Sequence, residues 1–146
     1  MVRDHLFEIA TKFRKAIESL PFDKKLDGLK EFPIGACGDT AFLLGAYLND
    51  LGIEGFHYVC GTKGSHANNT WLTHAWLQKG DLVIDITADQ FTDITTAIVI
   101  AERSTWHATF RTDSPTESDF RHRKHGMDGF MSTYKAILWE IKKQQT

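Results

Sequence analysis

FPIGACGDTAFLLGAYLNDLG, residues 32–52, places a cysteine where a glycine-containing loop meets an apolar run. From residue 39 to residue 51 the apolar side chains cover most of a helical surface, which predicts a helix buried on several sides. Cys37 therefore lies at the start of that helix, with Gly35 and Gly38 close by. A helix N-terminus stabilises a thiolate through its dipole and free amides, so the position is typical of a nucleophilic cysteine. Simple packing of a small apolar side chain is the alternative.

The rest of the chain predicts one α+β domain spanning residues 1–146, with helices first, then an antiparallel sheet, then a helix. Apolar residues recur at helical spacing over residues 4–20 and again from Phe130 to Ile141. Runs rich in β-formers predict strands at 55–61, 71–79, 82–89 and 96–101. Residues 21–36 and the polar stretch 103–127 are predicted to be loops. The helix that begins at Cys37 is expected to pack on the sheet.

The dipeptide Gly80–Asp81 predicts a tight hairpin and thereby fixes which residues face each other. If these two residues form the turn, Lys79 opposes Leu82, and Asp85 lies diagonally from His74 at roughly 7 Å. Side chains alternate along a strand, so one face carries His74, Trp76, Asp85 and Thr87, and the other carries Leu77, Ile84 and Ile86. The register predicts a histidine and an aspartate side by side, opposite the apolar core face.

A cysteine at a helix start together with a His–Asp pair has the chemistry of a nucleophile, a base and an orienting acid. Histidine takes the thiol proton and becomes the ion-pair partner of the thiolate. A carboxylate on the other ring nitrogen fixes the tautomer and supports the imidazolium. Asp89 has the same parity as Asp85 and is the alternative acid. Asp85 is preferred because it lies within the clearer strand.

Three motifs, GACGDTAFLLGAYLNDLG, HAWL and VIDIT, resemble the transglutaminase-like branch of the papain-like cysteine-enzyme superfamily. The resemblance covers roughly residues 32–90. It implies a papain-like core in which Cys37 is the nucleophile, His74 the base and Asp85 the orienting acid. Papain-type peptidases usually carry a glutamine before the cysteine, and LKEFPIGAC has none. The oxyanion is then expected to bind the Cys37 backbone amide and a second donor, for which the indoles of Trp71 and Trp76 are candidates.

We therefore expect a cysteine-dependent hydrolase or acyltransferase that acts on a protein, a peptide or a small amide through an acyl-thioester, without a metal or other cofactor. Gly35 and Gly38 would let a substrate backbone approach the thiol closely. Cys60 is expected to be a packing residue. The alternatives are a zinc site built from Cys37, His74 and Asp85, and an inactive binding module on the same fold. His57, His66 and His107 have no companions at a recognisable metal spacing.

Composition and charge indicate which kinds of partner and which cellular compartment to expect. A formal net charge of −2 predicts no general attraction to nucleic acid or to anionic membrane. No apolar run approaches the ~20 residues that span a bilayer, and the acid-containing N-terminus is unlike a signal peptide. The presence of only two cysteines favours a reducing compartment, so a cytoplasmic location is expected. Export as an effector or toxin without a signal peptide remains an alternative.

Overall fold

The computed structural model describes residues 2–145 and confirms an α+β architecture. The helices are α1 (Val2–Ser19), α2 (Cys37–Asp50) and α3 (Phe130–Gln144). The strands are β1 (His57–Lys63), β2 (Leu72–Lys79), β3 (Leu82–Asp85), β4 (Val99–Glu102) and β5 (Arg111–Thr112). Within residues 2–145, no helix has the combination of length and apolar character that a membrane span needs.

The five strands form one antiparallel sheet in the order β4-β3-β2-β1-β5. Lys79 pairs with Leu82 and Leu77 pairs with Ile84, which confirms the hairpin register. Gly80 has φ +58°, the left-handed conformation that two-residue hairpin turns favour. Strand β3 ends at Asp85, earlier than the expected residue 89, because the chain turns into a short 3-10 helix at Ala88–Gln90.

The two faces of the sheet pack against different parts of the chain. Helix α2 packs on β1 and β2, and α1 packs on α3, so one continuous core fills this side. Leu77 and Ile84 belong to that core, as the register predicts. The face with Trp76 carries a second, smaller apolar cluster that also contains Val59, Val83 and Phe110. The face opposite the main core is therefore covered, and the His–Asp pair on it is buried.

The cover comes from the stretch that the sequence predicts to be a loop, so the prediction of a plain polar loop over 103–127 is wrong in part. Residues His107–Thr109 form a 3-10 turn, β5 pairs with β1, and Thr116 bridges to Tyr58. Phe110 is buried in the second cluster on the Trp76 face, and Phe120 is buried in the main core. These apolar anchors follow neither a helical nor a strand period, and the polar residues between them hide their role.

A partly buried ion pair fixes the segment that follows β3. Both guanidinium Nη atoms of Arg14, on α1, bind the two carboxylate oxygens of Asp89 at 2.7 and 2.8 Å. The same Arg14 donates to the carbonyl oxygens of Ile86 at 2.8 Å and of Ala97 at 3.1 Å. Asp89, the alternative orienting acid, is therefore committed to Arg14 and holds the end of β3 against α1.

We expect Asp89→Ala to lower the free energy of unfolding by about 2 kcal/mol, because it leaves a largely buried guanidinium without its bidentate partner. Urea denaturation followed by circular dichroism measures the change. Asp81→Asn is the matched control, since the Asp81–Arg103 pair spans 3.6 Å and both side chains are exposed. Equal stability of the Asp89→Ala variant and the Asp81→Asn control would contradict a structural role for the Arg14–Asp89 pair.

Candidate active site

Cys37 is the first residue of α2, as the sequence predicts, and its side chain is partly exposed. No side chain caps this helix start, and the first intrahelical bond runs from the Thr40 N–H to the Ala36 carbonyl at 2.9 Å. The amides of the first turn have no helical acceptor, so they are directed at whatever lies beyond the helix end. Gly35 has φ +70° and nothing within 4 Å of where a Cβ would be, so the backbone before Cys37 is open to approach.

His74 and Asp85 form a buried hydrogen bond between adjacent strands. His74 Nε2 lies 2.7 Å from Asp85 Oδ2, and the two side chains are at most 1% exposed. An ionised carboxylate only accepts, so Nε2 carries the proton and Nδ1 is the ring nitrogen left for other partners. The other carboxylate oxygen of Asp85 accepts from the Thr87 backbone N–H at 3.0 Å. The structure thus pairs His74 with Asp85 and not with Asp89.

A second histidine, which the sequence analysis set aside, binds the same carboxylate oxygen. His107 Nε2 lies 2.7 Å from Asp85 Oδ2, and its Nδ1 lies 2.6 Å from the Ser104 hydroxyl. His107 comes from the covering segment, more than twenty residues beyond the hairpin. Neither a metal-ligand spacing nor a strand register relates His107 to Asp85, so no signal in the sequence connects them.

The charges of these groups shift one another's proton affinity. Burial disfavours the imidazolium, but hydrogen bonds to Asp85 and Cys37 and the charges of both outweigh it and raise the pKa of His74 to about 9. Burial acts in the opposite direction on Asp85, yet the hydrogen bonds from His107 and His74 hold the pKa of that carboxyl well below its usual range. His74, which is bound to Asp85, therefore favours its charged form, and Cys37 contributes to this preference.

Aromatic rings enclose His74 and keep water away from the His–Asp pair. The rings of Trp76, Phe91, Trp106 and Phe110 have centroids 5.0–6.1 Å from the imidazole. The Lys63 ammonium lies 4.8 Å from the Trp106 ring and 4.7 Å from the Phe110 ring. A water-poor surrounding strengthens the electrostatic interactions of the pair.

The two indoles that were expected to help the oxyanion are engaged in other contacts. The Trp76 indole N–H donates to Gln78 at 2.9 Å, and Trp71 is 40% exposed and stacks on His66 at 4.3 Å. Gln90, which no motif in the sequence indicates, lies between His74 and Gly35. Its amide nitrogen lies 3.5 Å from His74 Nδ1, and its amide oxygen accepts from the Gly35 N–H at 3.4 Å.

Cys60 differs from Cys37 in its surroundings. Both thiols are free. Burial raises the pKa of the Cys60 thiol, and the nearby charge of Cys37 adds to the effect, although a hydrogen bond with Tyr58 opposes it. Cys60 is therefore a poor candidate for a nucleophile, as its strand context predicts.

A metal alternative has to use different ligands from those expected. Among residues 2–145, the group able to hold an ion is His74, Asp85 and His107, with ligand atoms within 4.8 Å of one another. The 2.7 Å separations between each Nε2 and Asp85 Oδ2 are hydrogen-bond lengths. Ligands of a tetrahedral zinc ion, at about 2.0–2.1 Å from the metal, would lie roughly 3.3 Å apart. The group is thus arranged for hydrogen bonding, and metal binding would require the side chains to separate.

Comparisons of the chain with protein-family models, with curated proteins and with solved structures found no match. The chemistry of the site's own residues therefore has to carry any functional proposal.

A pH titration of the His74 imidazole by NMR tests whether the thiol and the imidazole interact. We expect His74 to titrate near pH 9 and to titrate at lower pH in Cys37→Ala, because a hydrogen bond and a charge that favour the imidazolium are lost. Asp85→Asn should also lower the pH at which His74 titrates. Cys60→Ala is the matched control and should leave it in place. If His74 titrates at the same pH in wild type and in Cys37→Ala, the thiol of Cys37 does not interact with the His74 imidazole.

Proposed function

We propose that the protein is a cysteine-dependent hydrolase or acyltransferase that cleaves an amide or thioester through an acyl-enzyme on Cys37. The observation that carries the proposal is the pairing of His74 with Asp85 at 2.7 Å, and the contribution of Cys37 to the raised pKa of His74, about 9, supports it. A papain-like or transglutaminase-like core is part of the proposal, supported by a nucleophile helix on an antiparallel sheet.

In the first step the Cys37 thiolate attacks the carbonyl carbon of the substrate. A C–S bond forms and the carbonyl π electrons move to oxygen. When the tetrahedral adduct collapses, the C–N bond breaks and the leaving amine takes the proton from His74 Nδ1. In the second step a water or an amine attacks the thioester, His74 takes the proton of the attacking group, and Cys37 is released as the thiolate. Water as acceptor gives hydrolysis, and an amine gives acyl transfer.

The oxyanion of the adduct needs donors in place before the reaction. The Cys37 backbone N–H is one, because it belongs to the unpaired first turn of α2. We assign the second to Gln90. One of its amide hydrogens points to the Thr87 carbonyl at 3.1 Å, and the other faces His74 Nδ1. When Nδ1 is protonated it no longer accepts, so that second N–H becomes available to an oxyanion beside Cys37.

The shape of the site favours a substrate that lies across the surface. The cavity behind Cys37, between α2 and the β2–β3 hairpin, has a volume of about 10 Å³, too small for an acyl group. The open side is at Gly35, where the backbone is exposed. An extended acyl chain or a peptide passing over Gly35 would bring its carbonyl to the thiol.

We expect iodoacetamide at neutral pH to modify Cys37 before Cys60, because Cys37 is the proposed nucleophile at the open start of α2 while burial raises the pKa of the Cys60 thiol. Peptide mapping by mass spectrometry measures the order. His74→Ala should slow labelling of Cys37 and leave Cys60 unchanged. Equal labelling of the two cysteines would contradict the proposed nucleophile.

Acylation itself is tested with p-nitrophenyl acetate, followed by a panel of peptide and glutamine amides with and without an added amine. The wild-type chain should form a Cys37 acetyl adduct that turns over, and Cys37→Ala should form none. Metal analysis of the purified protein runs beside it. A stoichiometric bound metal with an inert Cys37 would favour the metal alternative, and an inert, metal-free protein would favour the binding module.

Gln90→Ala should lower kcat by about 10²-fold, the cost typical of removing one oxyanion donor. Alkylation by iodoacetamide is the internal control, because that reaction develops no oxyanion. The rate of Cys37 alkylation should therefore stay within a few-fold of wild type. A parallel loss of alkylation and turnover would mean that Gln90 acts on the thiol or on His74 and not on the oxyanion.

A further inference from the structure

Asp85 Oδ2 has two imidazole donors, and a Cys–His–acid mechanism uses only one of them. His74, the imidazole on which Cys37 acts, is the donor that such a mechanism uses. His107 makes an equally short bond of 2.7 Å to the same oxygen, and its side chain is only 3% exposed. A buried histidine at this distance from the orienting acid is not required by the chemistry of the thiol, so its role has to lie with the acid.

Ser104 determines which nitrogen of His107 faces Asp85. Its hydroxyl lies 2.6 Å from His107 Nδ1 and also accepts the His107 backbone N–H at 3.2 Å. A hydroxyl has one hydrogen to donate, and here it is free to donate to Nδ1 while accepting the backbone N–H. With Nδ1 as an acceptor, the ring proton is on Nε2 and points at the Asp85 carboxylate.

We propose that Ser104 and His107 form a positioning arm, in which Ser104 fixes the tautomer of His107 and His107 orients the Asp85 carboxylate that in turn orients His74. This inference rests on the proposed function of the triad. The arm belongs to the covering segment, which lies on the opposite face of the sheet from the main core, whereas Cys37 belongs to α2. Ser104 and His107 line a cavity of about 640 Å³ whose lining does not include Cys37. The arm is thus away from the proposed substrate path.

The arm keeps the carboxylate ionised as well as oriented. Burial opposes the charge of Asp85, and the bond from His107 is foremost among the interactions that counter it and lower the Asp85 pKa. Besides His107, the titratable group that binds Asp85 is His74, and Cys37 of α2 acts in turn on His74. Lys63 lies behind the Trp106 and Phe110 rings. Because the Asp85 pKa is lower in the folded state than in the unfolded state, ionised Asp85 stabilises the fold at any pH above its unfolded-state pKa. This stabilisation is lost as the pH falls from the unfolded-state pKa through the folded-state pKa.

The test follows the Asp85 carboxyl carbon by NMR across an acid pH series in the 146-residue chain. In wild type, Asp85 should stay ionised down to acid unfolding. In His107→Leu it should take up its proton about one to two pH units higher, the size expected for one lost charge-assisted hydrogen bond. His107→Gln is the matched variant, because its amide can still donate to Oδ2, and it should restore most of the wild-type behaviour.

Ser104 supplies a second pair of variants that leaves the buried ring in place. Ser104→Ala should shift the Asp85 titration in the same direction by a smaller amount, and Ser104→Thr should restore it. If His107→Leu does not fold, this pair and His107→Gln decide the outcome. On the substrate found active, the arm variants should lower kcat by about ten- to a hundredfold and leave KM unchanged, because the arm does not touch substrate.

An Asp85 titration that is the same in wild type, Ser104→Ala and a folded His107→Leu would overturn the positioning arm. The titration needs no turnover, so the two proposals fail separately. If Cys37 is inert while Asp85 responds to His107→Leu, the proposed function fails and the arm stands as an orienting network. If Cys37 is reactive and Asp85 does not respond, the arm fails and the proposed function stands.

Discussion

The buried carboxylate of Asp85 is the constraint around which this fold is arranged. A carboxylate withdrawn from water costs several kcal/mol unless its oxygens are paired. Oδ2 accepts from two imidazoles and Oδ1 from the Thr87 amide, with the Thr87 hydroxyl 3.4 Å away. Strand β2, the turn that follows β3 and the covering segment each contribute a donor. The position of each element is therefore tied to the others through one charged group.

The hairpin and the helix that begins at Cys37 could be predicted from sequence because their signals are local. Gly80 adopts the left-handed conformation expected of its turn, and that single residue fixes the pairing of β2 with β3 and hence the placement of His74 beside Asp85. The apolar run after Cys37 likewise marks a buried helix without reference to the rest of the chain. Local chemistry was sufficient to predict Cys37 at the helix start, and strand parity was sufficient to place His74 and Asp85 on one face.

His107 and Gln90 could not be predicted, because they reach the site through tertiary contacts and not through a period. Gln90 follows β3 on a 3-10 turn whose direction depends on Arg14 of α1, far away in the sequence. His107 arrives on a segment anchored by isolated aromatic residues such as Phe110. Strand parity also left Asp89 as a rival of Asp85. Only the tertiary ion pair with Arg14 separates the two acids.

Asp85 and Asp89 show that two aspartates can have different roles when their surroundings differ. Asp89 is paired with a guanidinium, which stays charged over the whole physiological range, so this pair contributes to holding the backbone in place and has no proton to exchange. Asp85 is paired with imidazoles, whose protons can move, and burial makes the charge of its partner His74 responsive to Cys37. A guanidinium in the place of His74 would satisfy the carboxylate equally well and could not accept the proton of a thiol. The choice of imidazole over guanidinium at Asp85 is thus the feature that gives this site the proton exchange required by the proposed acyl chemistry and distinguishes it from a structural ion pair.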